Sequence, residues 1–197
     1  MIAIRKDLPS LLKAYAAAGS DARMNGCELP VVINSGSGNQ GLTVSVPLII
    51  YAEREHLDKE KLYRALVISN LTAIHLKTEI GRLSAFCGAV SAGAACGAGL
   101  AYLKDASEEV MNHTIVNALA ITSGIICDGA KASCAAKIAV SVEAGILGYD
   151  MYMNGQQFYG GDGIISKGIE NTIHNIGVLG SQGMASTDQE IIKIMCE

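Results

Sequence analysis

The chain has 197 residues, half of them apolar and 17% charged, with a mean hydropathy of +0.31. That profile excludes intrinsic disorder, which needs low hydrophobicity and high net charge. The net charge of −4 leaves no basic field to attract nucleic acid.

The elements read mostly as helices. The opening MIAIRKDLPSLLKAY carries early charges and no cleavage site, so it is not read as a secretory signal, and the expected location is cytoplasmic. Asp7 caps a helix through Ala18, with Pro9 tolerated in its first turn. Residues 24–39 (MNGCELPVVINSGSGN) break the pattern as an extended piece followed by a Gly/Ser/Asn loop. VVIN at 31–34 is the one good strand candidate. A helix then runs from Gln40 to Arg54. Asp58 caps a long one from Lys59 to Ile80, whose Leu62, Leu66, Ile74 and Leu76 recur at helical spacing.

Residues Ser84 to Leu103 carry no charge, and 15 of these 20 are Ala, Gly, Ser or Cys. Such residues gain little from lipid, so a helix at the centre of a helical domain is expected rather than a membrane span. Ser107 caps a helix from Glu108 to Ile126, and Asp128 another from Gly129 to Leu147. A loop at 149–163 precedes a helix from Ile164 to Leu179. Thr187 with Glu190 forms a capping box for a last helix to Met195. The expected fold is all-α: one compact domain, residues 1–197, of seven to eight helices around the small-residue helix. Within it, 1–22 is an N-terminal helix and connector and 186–197 a C-terminal helix.

Three constellations could carry chemistry. Asn34-Ser35-Gly36-Ser37-Gly38-Asn39-Gln40-Gly41 enters a helix, where free backbone N–H groups and the helix dipole suit a carboxylate or phosphate. The loop lacks the GK[ST] ending of a P-loop, and an ordinary turn with Asn39 as cap explains it equally well. Cys127-Asp128-Gly129-Ala130-Lys131 puts a thiol just outside a helix N-terminus beside a lysine, which favours thiolate; an inert thiol before a capped helix is the alternative. Cys87 and Cys96, nine positions apart on one helix, point about 180° from each other and should not share a metal. None of the six cysteines forms a CxxC pair, which disfavours zinc ribbons and ferredoxin-type clusters. His75 and Glu79, with Lys77 beside them, read as a solvated or interhelical polar face.

The runs Arg23-Met24-Asn25-Gly26-Cys27, NSGSGNQG (34–41), EIGRLSAFCGAVSAG (79–93) and GIICDGAKASCAAKIA (124–139) together resemble the serine dehydratase alpha-chain family, its L-cysteine desulfidase branch most closely. The resemblance covers about residues 20 to 185, with 23–185 as the matching core. It implies a cytoplasmic lyase without pyridoxal phosphate that carries a four-iron–four-sulfur cluster on three cysteines, one iron remaining open. Cys87 and Cys127 match two ligand positions. Ser35, Ser37, Asn39 and Gln40 match the region that grips the substrate carboxylate. Lys131 is a candidate base, provided it is buried. The implied reaction is β-elimination of L-cysteine to pyruvate, ammonia and sulfide, or of L-serine to pyruvate and ammonia.

Desulfidase-type chains are roughly twice as long as this one, and their third ligand lies in an N-terminal half. Here Cys134 or Cys27 stands in, or a partner chain supplies it. The implied partners are a small L-amino acid and an N-terminal half or beta-type subunit, in a homo- or hetero-oligomer. The alternative reading is a non-catalytic half without a complete cluster, which only assembles with that partner.

Overall fold

The computed structural model describes residues 7–197. The opening six residues of the leader reading lie outside them. The described residues form eight α-helices: α1 (Leu8–Met24), α2 (Gly38–Arg54), α3 (Lys59–Ile80), α4 (Gly88–Leu103), α5 (Glu108–Thr122), α6 (Cys134–Met153), α7 (Ile169–Val178) and α8 (Ala185–Cys196), with a π-helical turn, Leu179–Gly183, before α8. The all-α expectation holds.

Helix α4 is the centre. Fourteen of its sixteen residues are buried, and α2, α3, α5 and α6 pack around it. Small residues make this possible, because backbones can then nearly touch. A Cβ on Gly93 would lie 2.3 Å from the Ser141 carbonyl oxygen of α6, and one on Gly145 2.5 Å from that of Gly93. On the other side, a Cβ on Gly99 would meet Leu48 of α2 at 2.6 Å. The large buried side chains, Leu48, Leu76, Ile80, Phe86, Leu119 and Ile138, fill the spaces around this stem. At 16 residues α4 is also short for a bilayer, and no helix among the described residues is long and apolar enough to cross one.

Caps explain several boundaries. The side chains of Asp7, Asp58 and Ser107 each accept from the backbone N–H three residues on, at 2.9, 2.9 and 3.4 Å. Gly81 ends α3 with φ 88°, a conformation glycine adopts freely.

Other expectations need correction. Segment 31–34 is no strand; it makes only an isolated antiparallel bridge, Asn34 to Ser37. Ser37, not Asn39, caps α2. Helix α5 stops at Thr122, not Ile126. Asp128 caps nothing: its carboxylate pairs with Lys137, Gly129 turns the chain with φ 93°, and α6 starts at Cys134 and continues to Met153. The helix placed at 164–179 begins at Ile169. The Thr187–Glu190 capping box is absent because α8 already begins at Ala185, straight after the π turn. Cys87 lies outside α4, as its N-cap, while Cys96 is fully buried within it.

Candidate functional site: a paired-thiol cavity

The site forms where the starts of α2 and α4 meet the 125–130 segment. An antiparallel bridge joins Phe86 to Ile126, with Cys87 N–H donating to Ile125 O at 3.2 Å and Cys127 N–H donating to Ala85 O at 2.6 Å. Side chains alternate across an extended pair, so Cys87 and Cys127, each one past a bridge residue, share a face. Their thiols are close enough that each shifts the acidity of the other.

That contact splits their acidities. Cys127 falls below the ordinary thiol value, chiefly because Cys87 donates to it, helped by the Gly129 N–H and by Lys137 and Lys77. Cys87 rises because it is the donor and because it is buried. The pair therefore holds a thiolate on Cys127, stabilised by a neighbouring thiol.

The glycine-rich loop has a rigid cause. Asn34 and Ser37 exchange backbone hydrogen bonds at 3.2 and 3.0 Å, and Ser35 and Gly36 between them have φ 49° and 86°, as a type I′ turn requires. The Asn34 amide donates to Asn70 O and Oδ1 of α3 at 3.1 and 3.0 Å. A Cβ on Gly41 would lie 1.7 Å from Val32 O. Gly41 thus lets the extended segment cross the first turn of α2, which fixes where that turn points.

It points into a cavity of about 310 Å³ lined by Ser37, Asn39 and Gln40 together with Cys87, Cys127 and Cys134. Three of the four residues matched to the carboxylate-gripping region meet both matched cysteines there. Ser35 does not; its hydroxyl donates to Asn34 Oδ1 at 2.9 Å, and it lines an adjacent surface cleft. Gln40 is 5% exposed and packs on Gly88 at the start of α4, and its Oε1 has no partner. Asn39 Oδ1 accepts from an Arg23 guanidinium N–H at 3.1 Å.

The lysine expected at the site is elsewhere. Lys131 is exposed, outside the lining, with its ammonium on the Asp128 carbonyl oxygen. The cavity instead holds Lys77 and Lys137. Lys137 donates to Asp128 and, at 3.0 Å, to Ile126 O. Lys77, 5% exposed, has no hydrogen-bond or ion-pair partner among the described residues, and desolvation pushes its pKa below the usual lysine value. Its expected neighbours turn away from it: His75 pairs with Glu170 at 2.8 Å and Glu79 with His174 at 2.7 Å, clasping α3 to α7.

Cys134 lines the cavity, with its sulfur 3.5 Å from Lys131 N and 3.7 Å from Gly129 O. Cys27 is exposed and outside the lining. No group of three or more His, Cys, Asp or Glu placed to hold a metal ion occurs among the described residues. As a donor set for an iron–sulfur cluster, the cavity thus offers two adjacent thiols that fit and no grouped third.

An all-α domain with paired thiols opposite a helix N-terminus is the class defined so far. The sequence profile of the serine dehydratase alpha chain matches residues 2–193, and the chain belongs to that family. It is 67% identical over 189 residues to a UPF0597 protein of Desulfitobacterium hafniense, covering 96% of this chain and 44% of the relative. A UPF0597 protein of Lachnoclostridium phytofermentans is 57% identical, with 96% and 45% covered. One from a Shewanella species is 44% identical, with 98% and 46% covered. The chain thus spans less than half the length of these relatives. No solved structure matches it.

Proposed function

We propose that this chain forms the catalytic domain of an iron–sulfur lyase that eliminates the β-substituent of a small L-amino acid, cysteine or serine. The observation that carries the reading is the meeting, in one cavity, of the Cys87–Cys127 pair, the start of α2 and an unpartnered buried lysine. Family membership supports lyase chemistry.

Cys87 and Cys127 would hold a four-iron–four-sulfur cluster, with the third thiolate from the rest of the longer polypeptide or from Cys134. When bound, the cluster supplies Lewis acidity toward the β-thiol or β-hydroxyl. Ser37, Asn39 and Gln40 hold the substrate carboxylate at the start of α2, where backbone N–H groups and the dipole favour an anion. The unpartnered Gln40 Oε1 accepts from the substrate ammonium. Lys77 takes the α-proton, since desolvation moves it toward the range of a working base. Loss of that proton and of the β-substituent leaves an enamine. Its imine tautomer takes up water to give pyruvate and ammonia, with sulfide as the second product from cysteine.

The test uses a chimera in which this chain replaces the matching 189 residues of the Desulfitobacterium relative. After anaerobic reconstitution with iron and sulfide, visible iron–sulfur absorbance and pyruvate from L-cysteine or L-serine are expected. Absence of both overturns the reading.

A second reading, a non-catalytic domain that only assembles with a partner, draws on the missing third donor. Cys87→Ala and Cys127→Ala in the chimera separate the two: undiminished activity in both variants favours the second.

A further inference from the structure

Helix α3 has two apolar faces, and only one of them is used by the core. Ala65, Ser69, Ala73, Leu76 and Ile80 are buried. On the opposite side, Tyr63, Val67, Leu71 and Ile74 are 56, 56, 60 and 46% exposed. At about 100° per residue these four fall within roughly a quarter turn of arc.

The strip does not end with the helix. The Asn34–Asn70 hydrogen bonds fasten the loop before α2 against α3. Ile33 of that loop, 67% exposed, borders the same surface cleft as Ile74. Lys77 and Arg82 border both this cleft and the thiol cavity. Leu83, 95% exposed, stands on the cavity rim. The apolar strip on α3 therefore runs to a cleft that adjoins the thiol cavity across Lys77 and Arg82. Single exposed apolar residues are ordinary; a continuous strip on one helix face and its adjoining loop marks an interaction surface.

Two facts say what covers it. More than half of each relative's polypeptide lies outside the part this chain matches. And the strip ends at a cavity whose paired thiols have no third donor grouped with them among the described residues. We propose that the outer face of α3, from Tyr63 to Ile74 and on to Ile33, docks a body equivalent to the part of its relatives that this chain does not match, which thereby covers the mouth of the thiol cavity. The docking surface stands on exposure and on the relatives' unmatched length; the part played by the docked body at the cavity rests on the lyase reading.

Carbene footprinting of the metal-free chimera against the isolated 197-residue chain tests this. Labelling of Tyr63, Val67 and Leu71 is expected to fall several-fold in the chimera, while Val140 on α6, itself 53% exposed, keeps its labelling. A Leu71→Glu chimera, altered only at a solvent-facing position, should regain labelling at Tyr63 and Val67. Unchanged labelling of the strip overturns the proposal, as does an equal fall at Val140. Labelling that falls with concentration in the isolated chain, with no further fall in the chimera, assigns the strip to a second copy and also overturns it. A protected strip in a chimera that makes no pyruvate counts against the lyase reading and leaves the docking surface standing.

Discussion

Lys77 is a buried amine with no hydrogen-bond or ion-pair partner among the described residues. Folding strips its water, and the attraction of Cys127, Cys87 and Asp188 offsets only part of that loss, so the net pKa shift is downward and the charged form costs stability. Lys77→Met keeps the volume and removes the charge. The variant should be more stable by about 1 kcal/mol, seen as a higher denaturant midpoint, and in the chimera should retain iron while losing pyruvate formation. A less stable variant would mean that the ammonium is paired in the fold. The thiol pair makes a separate prediction. Cys87→Ala deletes the donor that holds Cys127 below the ordinary thiol value. The Cys127 pKa then rises, its thiolate fraction at pH 7 falls, and alkylation by iodoacetamide, followed by peptide mass spectrometry, slows several-fold in the metal-free chain. Neither residue was equally legible in the sequence. Cys127 stood out by its lysine and its resemblance, but its partnership with Cys87 depends on a bridge between residues forty positions apart. Lys77 was hidden between His75 and Glu79, whose pairing with α7 looks in sequence like a face that would carry Lys77 along.

Among the elements, α4 and α6 depend on the closest backbone contact. Gly145→Val would put side-chain atoms where the Gly93 carbonyl oxygen and the Gly97 backbone now lie. No rotamer relieves a backbone clash, so the helices must separate along α4, and a loss of about 3 kcal/mol or more is expected in urea unfolding. Gly124→Ala is the matched control: nothing lies within 4 Å of its added Cβ, so the change should be neutral or stabilise by about 0.5 kcal/mol. Helices with local stop and start signals were readable. Asp58 starts α3 and Ile80 ends it in sequence as in structure. Boundaries set by tertiary partners were not. Asp128 followed by glycine has the look of a cap, yet Lys137 takes its carboxylate. Ile74 has helical spacing with Leu66, yet it faces outward, because Ala65, Ser69 and Ala73 let α3 approach α4 on a different face. Periodicity identifies an apolar face; it does not say whether this chain or another covers it.

At the scale of the whole molecule, the core closes around α4 with its large side chains buried. The cavity, by contrast, brings two thiols together and leaves a third, Cys134, engaged with Gly129 and Lys131 backbone atoms. A cluster on two protein thiolates has an extra iron exposed to exchange, and an uncovered cavity mouth admits water and chelator to it. The isolated chain, reconstituted anaerobically, should therefore lose iron to an excess of bipyridyl many-fold faster than the chimera, followed by the ferrous–chelator absorbance. Equal retention would mean that this chain supplies the whole donor set. In that event Cys134→Ala should speed iron loss, because rotation of its side chain away from Gly129 O is the shortest route to a third ligand in the cavity.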